Sequence, residues 1–172
     1  MKTNKEILSS LLKTTQMGQI GIRSVQKRAE SPELQQALDS QLREYDKIER
    51  EAHNIANMRG WILPELNPGI RTMSEMMSRM KLMGSRKDSK IAGMMIQGNT
   101  RGVITNLKNL HQYSNRDSRI EELSISFWKK RTIIFARWNL SCNKSPLVEG
   151  AFCTIATGAA YTVLTSRKEV LP

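Results

Sequence analysis

The spacing of apolar residues constrains this chain more than any single motif does. Leu8, Leu11, Thr15, Gly18, Ile22, Val25 and Ala29 advance by three and four, the step of one face of an α-helix. The middle of that face is thin, because Thr15 and Gly18 stand where large apolar groups would pack. Ser31, Pro32 and Glu33 then supply a fresh start: a capping serine, a proline at the first helical position, and a carboxylate where the helix dipole favours one. A second stripe follows in Leu34, Leu38, Leu42, Tyr45, Ile48, Ala52 and Ile55, and Gly60 is placed to close it.

The prolines at 64 and 68 mark a connector. Asn67 can cap a third helix opening at Pro68, with Ile70, Met73, Met77 and Met80 on its buried face and Gly84 at its end. After a polar loop, Asp88 or Ser89 can cap a fourth helix over 91–113, whose stripe is Ile91, Met94, Met95, Gly98, Val103, Leu107 and Leu110. Residues 114–117 form a turn, and Ile120, Glu121, Glu122 and Leu123 open a fifth helix. The fold class expected is all-α.

Past Leu123 the pattern fails. Ile133, Ile134 and Phe135 form a β-favouring cluster among basic residues, and residues 151–164 carry Thr, Ala and Gly without a clear period. Charge marks the same break. The chain has 172 residues and a net charge of +11. Residues 1–123 hold 20 basic and 14 acidic side chains, a net of +6; residues 124–172 hold 7 and 2, a net of +5. Propensity, pattern and capping agree in the first segment and disagree in the second. The sequence therefore divides into a helical bundle, 1–123, and an atypical C-terminal extension, 124–172, read as disordered, loosely helical or non-native.

Residues 1–12 lack the unbroken apolar stretch of a secretory leader, and no run reaches the roughly 18 to 20 apolar residues of a membrane span. Cys142 and Cys153 suit neither a zinc knuckle nor a disulfide framework. A cytoplasmic location is expected.

Residues 10–123 resemble a set of small bacterial helical proteins, without a settled activity, grouped in the ferritin-like superfamily. The resemblance is carried by Leu42, Arg43, Glu44 and Tyr45 on a charged second helix, by Pro68 opening the third, and above all by Met94, Met95, Ile96, Gln97, Gly98, Asn99, Thr100, Arg101 and Gly102. It implies an antiparallel four-helix bundle. A ferritin-like di-iron site needs a Glu from each of two helices and Glu-x-x-His from each of the other two. Here Arg50 precedes His53 by three and Lys108 precedes His111 by three, and the fourth helix has no carboxylate between Ser89 and Arg116. No metal, cofactor or enzymatic activity is expected.

Glu49 and His53, four apart, could form an acid–base pair or half a metal site; a surface contact is favoured, since no second ligand pair completes a shell. Most methionines lie between Met73 and Met95, where helical spacing favours a pliable core over a partner surface. Gly98 and Gly102, with Met94 and Met95, are read as a close helix-packing surface against the thin face at Thr15 and Gly18, so that Gly98→Leu would lower the melting temperature. Arg79, Lys81, Arg86, Lys87 and Lys90 form a possible basic patch. Lys129, Lys130, Arg131 and Arg137 interleave with Trp128, Phe135 and Trp138, a composition that can bind nucleic acid. The expected function is a non-catalytic ferritin-like bundle acting through helix-face association as a homodimer; the alternatives are a basic protein for nucleic acid or anionic surfaces and, last, a metal-dependent redox protein.

Overall fold

The computed structural model describes residues 1–64, 66 and 87–142. Four helices occupy them: α1 (Asn4–Val25), α2 (Pro32–Met58), α3 (Lys87–His111) and α4 (Ser118–Cys142), with a short 3-10 turn, Gln26–Arg28, after α1. The described residues contain no strand, only an isolated bridge between Lys2 and Tyr113. The helix expected from Pro68, with its methionine stripe, lies outside the described residues.

α1 begins earlier than its apolar stripe suggests because Thr3 and Glu6 form a capping box. The Glu6 amide donates to Thr3 Oγ1 at 3.3 Å and the Thr3 amide donates to Glu6 Oε2 at 2.8 Å, satisfying two otherwise orphaned N–H groups. α2 starts at Pro32 as expected, but the Ser31 hydroxyl makes no capping bond. Asp88, in the first turn of α3, accepts instead from the amides of Glu30 and Ser31, both at 2.8 Å. Gly60 ends α2 with φ of 63°; its amide reaches the Asn57 carbonyl at 3.1 Å and the Trp61 amide reaches Ala56 at 2.9 Å. These two bonds make a Schellman motif, which favours glycine at the left-handed position.

α1 packs on α2 and α3, and α4 packs on the same two helices from the other side. Hydrogen bonds fix the directions. Gln16, Gln19 and Gln26 reach Glu49, Asp46 and Asp39 in turn, so numbers rise along α1 as they fall along α2. α1 and α3 also run oppositely, with Asn109 donating to Ser10 at one end and Asp88 meeting Glu30 at the other. α2 and α4 do the same through Lys130 to Glu44 and Arg59 to Asp117.

The interior has two apolar clusters. Ile7, Leu8, Leu12, Ala52, Ile55, Tyr113 and Ile120 fill the end where the N-terminus, the close of α2 and the α3–α4 turn meet. Leu11, Ile22, Leu38, Tyr45, Ile48, Ile91, Met95 and Phe127 fill the rest.

The helix expected to open at Ile120 continues as α4 through Leu123 to Cys142, with Ile133, Ile134 and Phe135 in helix and Phe127 and Arg131 buried. Residues 143–172 lie outside the described residues. The buried face of α3 is rotated from the expected stripe. It runs through Ile91, Met95, Asn99, Gly102, Asn106 and Asn109, while Val103, Leu107 and Leu110 are half-buried and Gly98 is exposed.

Candidate functional site

Polar side chains at core positions build a layer across the middle of the helices. Gln41 and Tyr45, one turn apart on α2, face Asn99 of α3, while Phe127 and Arg131, one turn apart on α4, close the layer from the opposite side. Gln41 Nε2 donates to Asn99 Oδ1 at 2.7 Å and to Tyr45 Oη at 3.0 Å; Tyr45 Oη donates to Asn99 Oδ1 at 3.0 Å. Arg131 Nη2 donates to Tyr45 Oη.

The guanidinium of Arg131 is the unusual element. Arg131 is only 4% exposed, yet no carboxylate among the described residues pairs with it. Two aromatic faces take that role: the Phe127 ring centroid lies 3.9 Å from the guanidinium carbon and that of Tyr45 lies 4.6 Å away. The negative faces of the rings offset part of the cost of removing the cation from water. Burial nevertheless dominates, pulling Arg131 below its usual pKa and pushing the Tyr45 hydroxyl above its own, with the charge of Arg131 opposing the latter shift. Arg131 Nε, Asn99 Nδ2 and Gln41 Oε1 are buried with no protein partner.

Two glycines make room for this layer. A Cβ on Gly18 would stand 2.6 Å from the Tyr45 ring, and one on Gly102 would collide with Arg131 Nη1 while touching the Thr14 methyl at 3.3 Å. The neighbours of Gly102 are thus the Arg131 and Thr14 side chains. Gly98 has no such neighbours: nothing lies within 4 Å of where its Cβ would be.

A second polar group lines a crevice between α1, α3 and α4, formed by Ser10, Thr14, Asn106, Asn109 and Ser124 with Ile7 and Leu11, and too tight for a water-sized guest. Asn109 donates to Ser10 Oγ at 2.7 Å and accepts from Lys2 Nζ; Asn106 Oδ1 and Ser124 Oγ find no protein partner.

The remaining candidates are dispersed. Glu49 accepts from Gln16 at 2.9 Å and Gln19 at 2.7 Å, and His53 Nε2 stands 3.9 Å from it at the surface. Its oxygens are thus engaged in fastening α1 to α2. Met95 is buried and Met94 is packed against the same cluster. Arg79, Lys81 and Arg86 lie outside the described residues; Lys87 opens α3 and Lys90 is exposed on it. Among the described residues, no three His, Cys, Asp or Glu side chains gather to hold a metal ion, and no helix is long and apolar enough to cross a membrane.

Sequence reasoning missed the central layer. One signal for it was present: Asn99, Asn106 and Asn109 continue the spacing of Ile91 and Met95, so amides stand on a buried stripe. Comparison with protein-family models, with curated proteins and with solved structures finds no match for this chain.

Proposed function

We propose that the chain is a non-catalytic, cytoplasmic helical scaffold, an antiparallel four-helix bundle of ferritin-like type that acts by association through its helix faces as a homodimer. The observation that carries this reading is Arg131. In ferritin-like oxidases the bundle interior gathers carboxylates and histidines around metal cations. Here the corresponding interior holds a buried guanidinium, a phenol and two amides. A fixed positive charge at that depth repels a second cation, and the amides and phenol are committed to tying α2, α3 and α4 together.

Association draws support from large apolar side chains left in solvent: Met17 at 39% exposure, Ile104 at 47%, Met58 at 62% and Ile62 at 87%. Two measurements test the reading. Purified full-length chain incubated with ferrous iron or manganese is expected to retain metal well below one ion per chain, and stoichiometric retention would overturn the non-catalytic assignment. Light scattering over a range of concentrations is expected to give the mass of two chains; a monomer throughout would remove the homodimer.

A further inference from the structure

Charge is distributed unevenly over the four helices. Carboxylates of α2, of α4 and of the turn before α4 pair with cations across the surface: Asp46 with Arg23, Glu44 with Lys47 and Lys130, Glu49 with His53, Asp117 with Arg59, Glu121 with Arg116. α1 and α3, which lie side by side, are different. α1 has no carboxylate after Glu6, and α3 has none after Asp88, which is bonded to the amides before α2.

Basic residues stand on the outer side of this acid-free pair. Lys13 precedes Thr14, whose methyl lies against Gly102 of α3; Arg101 precedes Gly102; and Lys108 precedes Asn109, which is bonded to Ser10 of α1. All three cations are exposed, and none has a carboxylate partner among the described residues. Arg101 and Lys108 are two helical turns apart on one stripe of α3, roughly 10 Å along its axis. Between and beside them are two exposed uncharged donors, Gln97 and Thr105, and the exposed Ile104; the Thr100 hydroxyl is turned back onto the Ile96 carbonyl at 3.0 Å. Gly98 and Gly21 leave the surface low, with nothing within 4 Å of either would-be Cβ. A glycine inside a helix costs stability, and at Gly98 no internal contact accounts for it.

We infer that the outer face of α1 and α3, marked by Lys13, Arg101 and Lys108, docks the phosphate backbone of a nucleic acid without reading its sequence. Cations with flanking hydroxyl and amide donors match phosphate and sugar oxygens. An anionic membrane is the poorer fit, because a helix that lies in a lipid interface presents a continuous apolar and aromatic face, and no aromatic residue stands between Ile7 and Ala29 or between Ser89 and Gln112. Ile104, between Arg101 and Lys108, and Met17, one turn from Lys13, lie on this face too, so a nucleic acid and a second copy of the chain would exclude each other here; the inference stands on the cations and not on the homodimer.

The test uses the full chain, a labelled mixed-sequence DNA duplex, and vesicles of phosphatidylserine and phosphatidylcholine. Each neutralised phosphate contributes about 0.9 to the slope of log affinity against log salt, so three contribute roughly 2.7 and a loss of roughly 40-fold between 50 and 200 mM salt. The variant Lys13→Gln/Arg101→Gln/Lys108→Gln is expected to lose that part of the slope. The charge-matched variant Arg43→Gln/Arg50→Gln/Lys129→Gln, at exposed positions on α2 and α4, is expected to keep it. Lys13→Arg/Lys108→Arg, which preserves charge, is expected to bind as the parent does. Equal losses in the two triple variants, absence of salt-dependent duplex binding, or tighter binding to the vesicles than to DNA would each overturn the assignment.

Discussion

Where the N-terminus, the end of α2 and the α3–α4 turn come together, the core is mostly apolar, and apart from the crevice that holds Asn106, Asn109 and Ser124 the polar groups sit at its rim in short local arrangements. Thr3 and Glu6 cap each other; Asn4 Oδ1 accepts from the Tyr113 hydroxyl at 2.5 Å and from the Asp117 amide at 3.2 Å; Asp117 caps α4 and pairs with Arg59. Half-way along α2 the polar groups are inside instead, and Arg131, Asn99 and Gln41 each retain an atom without a protein partner. The apolar end gains stability from every contact it makes. The central layer gives some of that up, since a buried charge is costly even between aromatic faces, and what it provides is alignment: Arg131 lies against Phe127 of its own helix, and the observed register of α4 sets it against Tyr45 of α2 and Gly102 of α3.

The largest test of this contrast is Phe127→Ala. It removes a fully buried ring and one of the two faces on the guanidinium, and is expected to destabilise by about 3–5 kcal/mol in thermal unfolding. A cost no greater than that of a surface substitution would deny the layer its place in the core. Next comes a comparison of two variants. Tyr45→Phe leaves the guanidinium without its hydroxyl acceptor and is expected to cost about 1.5–3 kcal/mol. Arg131→Met removes the buried charge itself and is expected to be neutral or stabilising. If Arg131→Met proves the more damaging of the two, the layer is a source of stability and the contrast collapses.

The glycines provide a smaller pair of opposite sign. Gly18→Ala drives a methyl into the Tyr45 ring and is expected to cost about 1–3 kcal/mol. Gly98→Ala, in open space on the same bundle, is expected to stabilise by about 0.8–1 kcal/mol. The smallest effect is that of pH at the rim of the layer. The hydrogen bond from Lys130, with a smaller one from Lys47, holds the Glu44 carboxyl below the ordinary 4.5. Its contribution to stability is therefore complete above that range and lost as the pH falls through the lowered value. Because Lys130 is 43% exposed and Glu44 only half-buried, solvent screens the pair and the loss is expected to be about 1 kcal/mol or less. Urea midpoints at neutral and acid pH, compared between the parent and Glu44→Gln, measure it.

The elements of α1 and α2 were largely legible in the sequence because each is specified several times over. Leu34, Leu38, Tyr45, Ile48, Ala52 and Ile55 share one face, Pro32 fixes the start and Gly60 the end, and all of these agree with the structure. The start of α1 was also written in Thr3 and Glu6, a capping pair easily passed over beside a stripe that begins at Leu8. α4 was not legible. Its buried positions include Ser124 and Arg131, polar residues that interrupt the apolar period, and its β-branched run at Thr132, Ile133 and Ile134 argues locally against helix. The central layer was obscured for the same reason: hydropathy assigns Arg131 to solvent, and only the glycine opposite it and the rings above it make the interior tolerable. A rule based on residue type fails where partners distant in sequence alter what that residue costs.

The bridge between Lys2 and Tyr113 bears on how this chain reaches its fold. The Lys2 amide donates to the Gln112 carbonyl at 2.7 Å and the Ser114 amide donates to the Lys2 carbonyl at 3.3 Å. During synthesis Lys2 thus waits for a partner more than a hundred residues later in the chain. α1 and α2 can pair as a hairpin meanwhile, since their contacts close a short loop, but the clasp at the N-terminus closes only after α3 has been made and packed. The clasp thereby couples the first turn of α1 to the α3–α4 turn, so that opening either one breaks backbone bonds of the other.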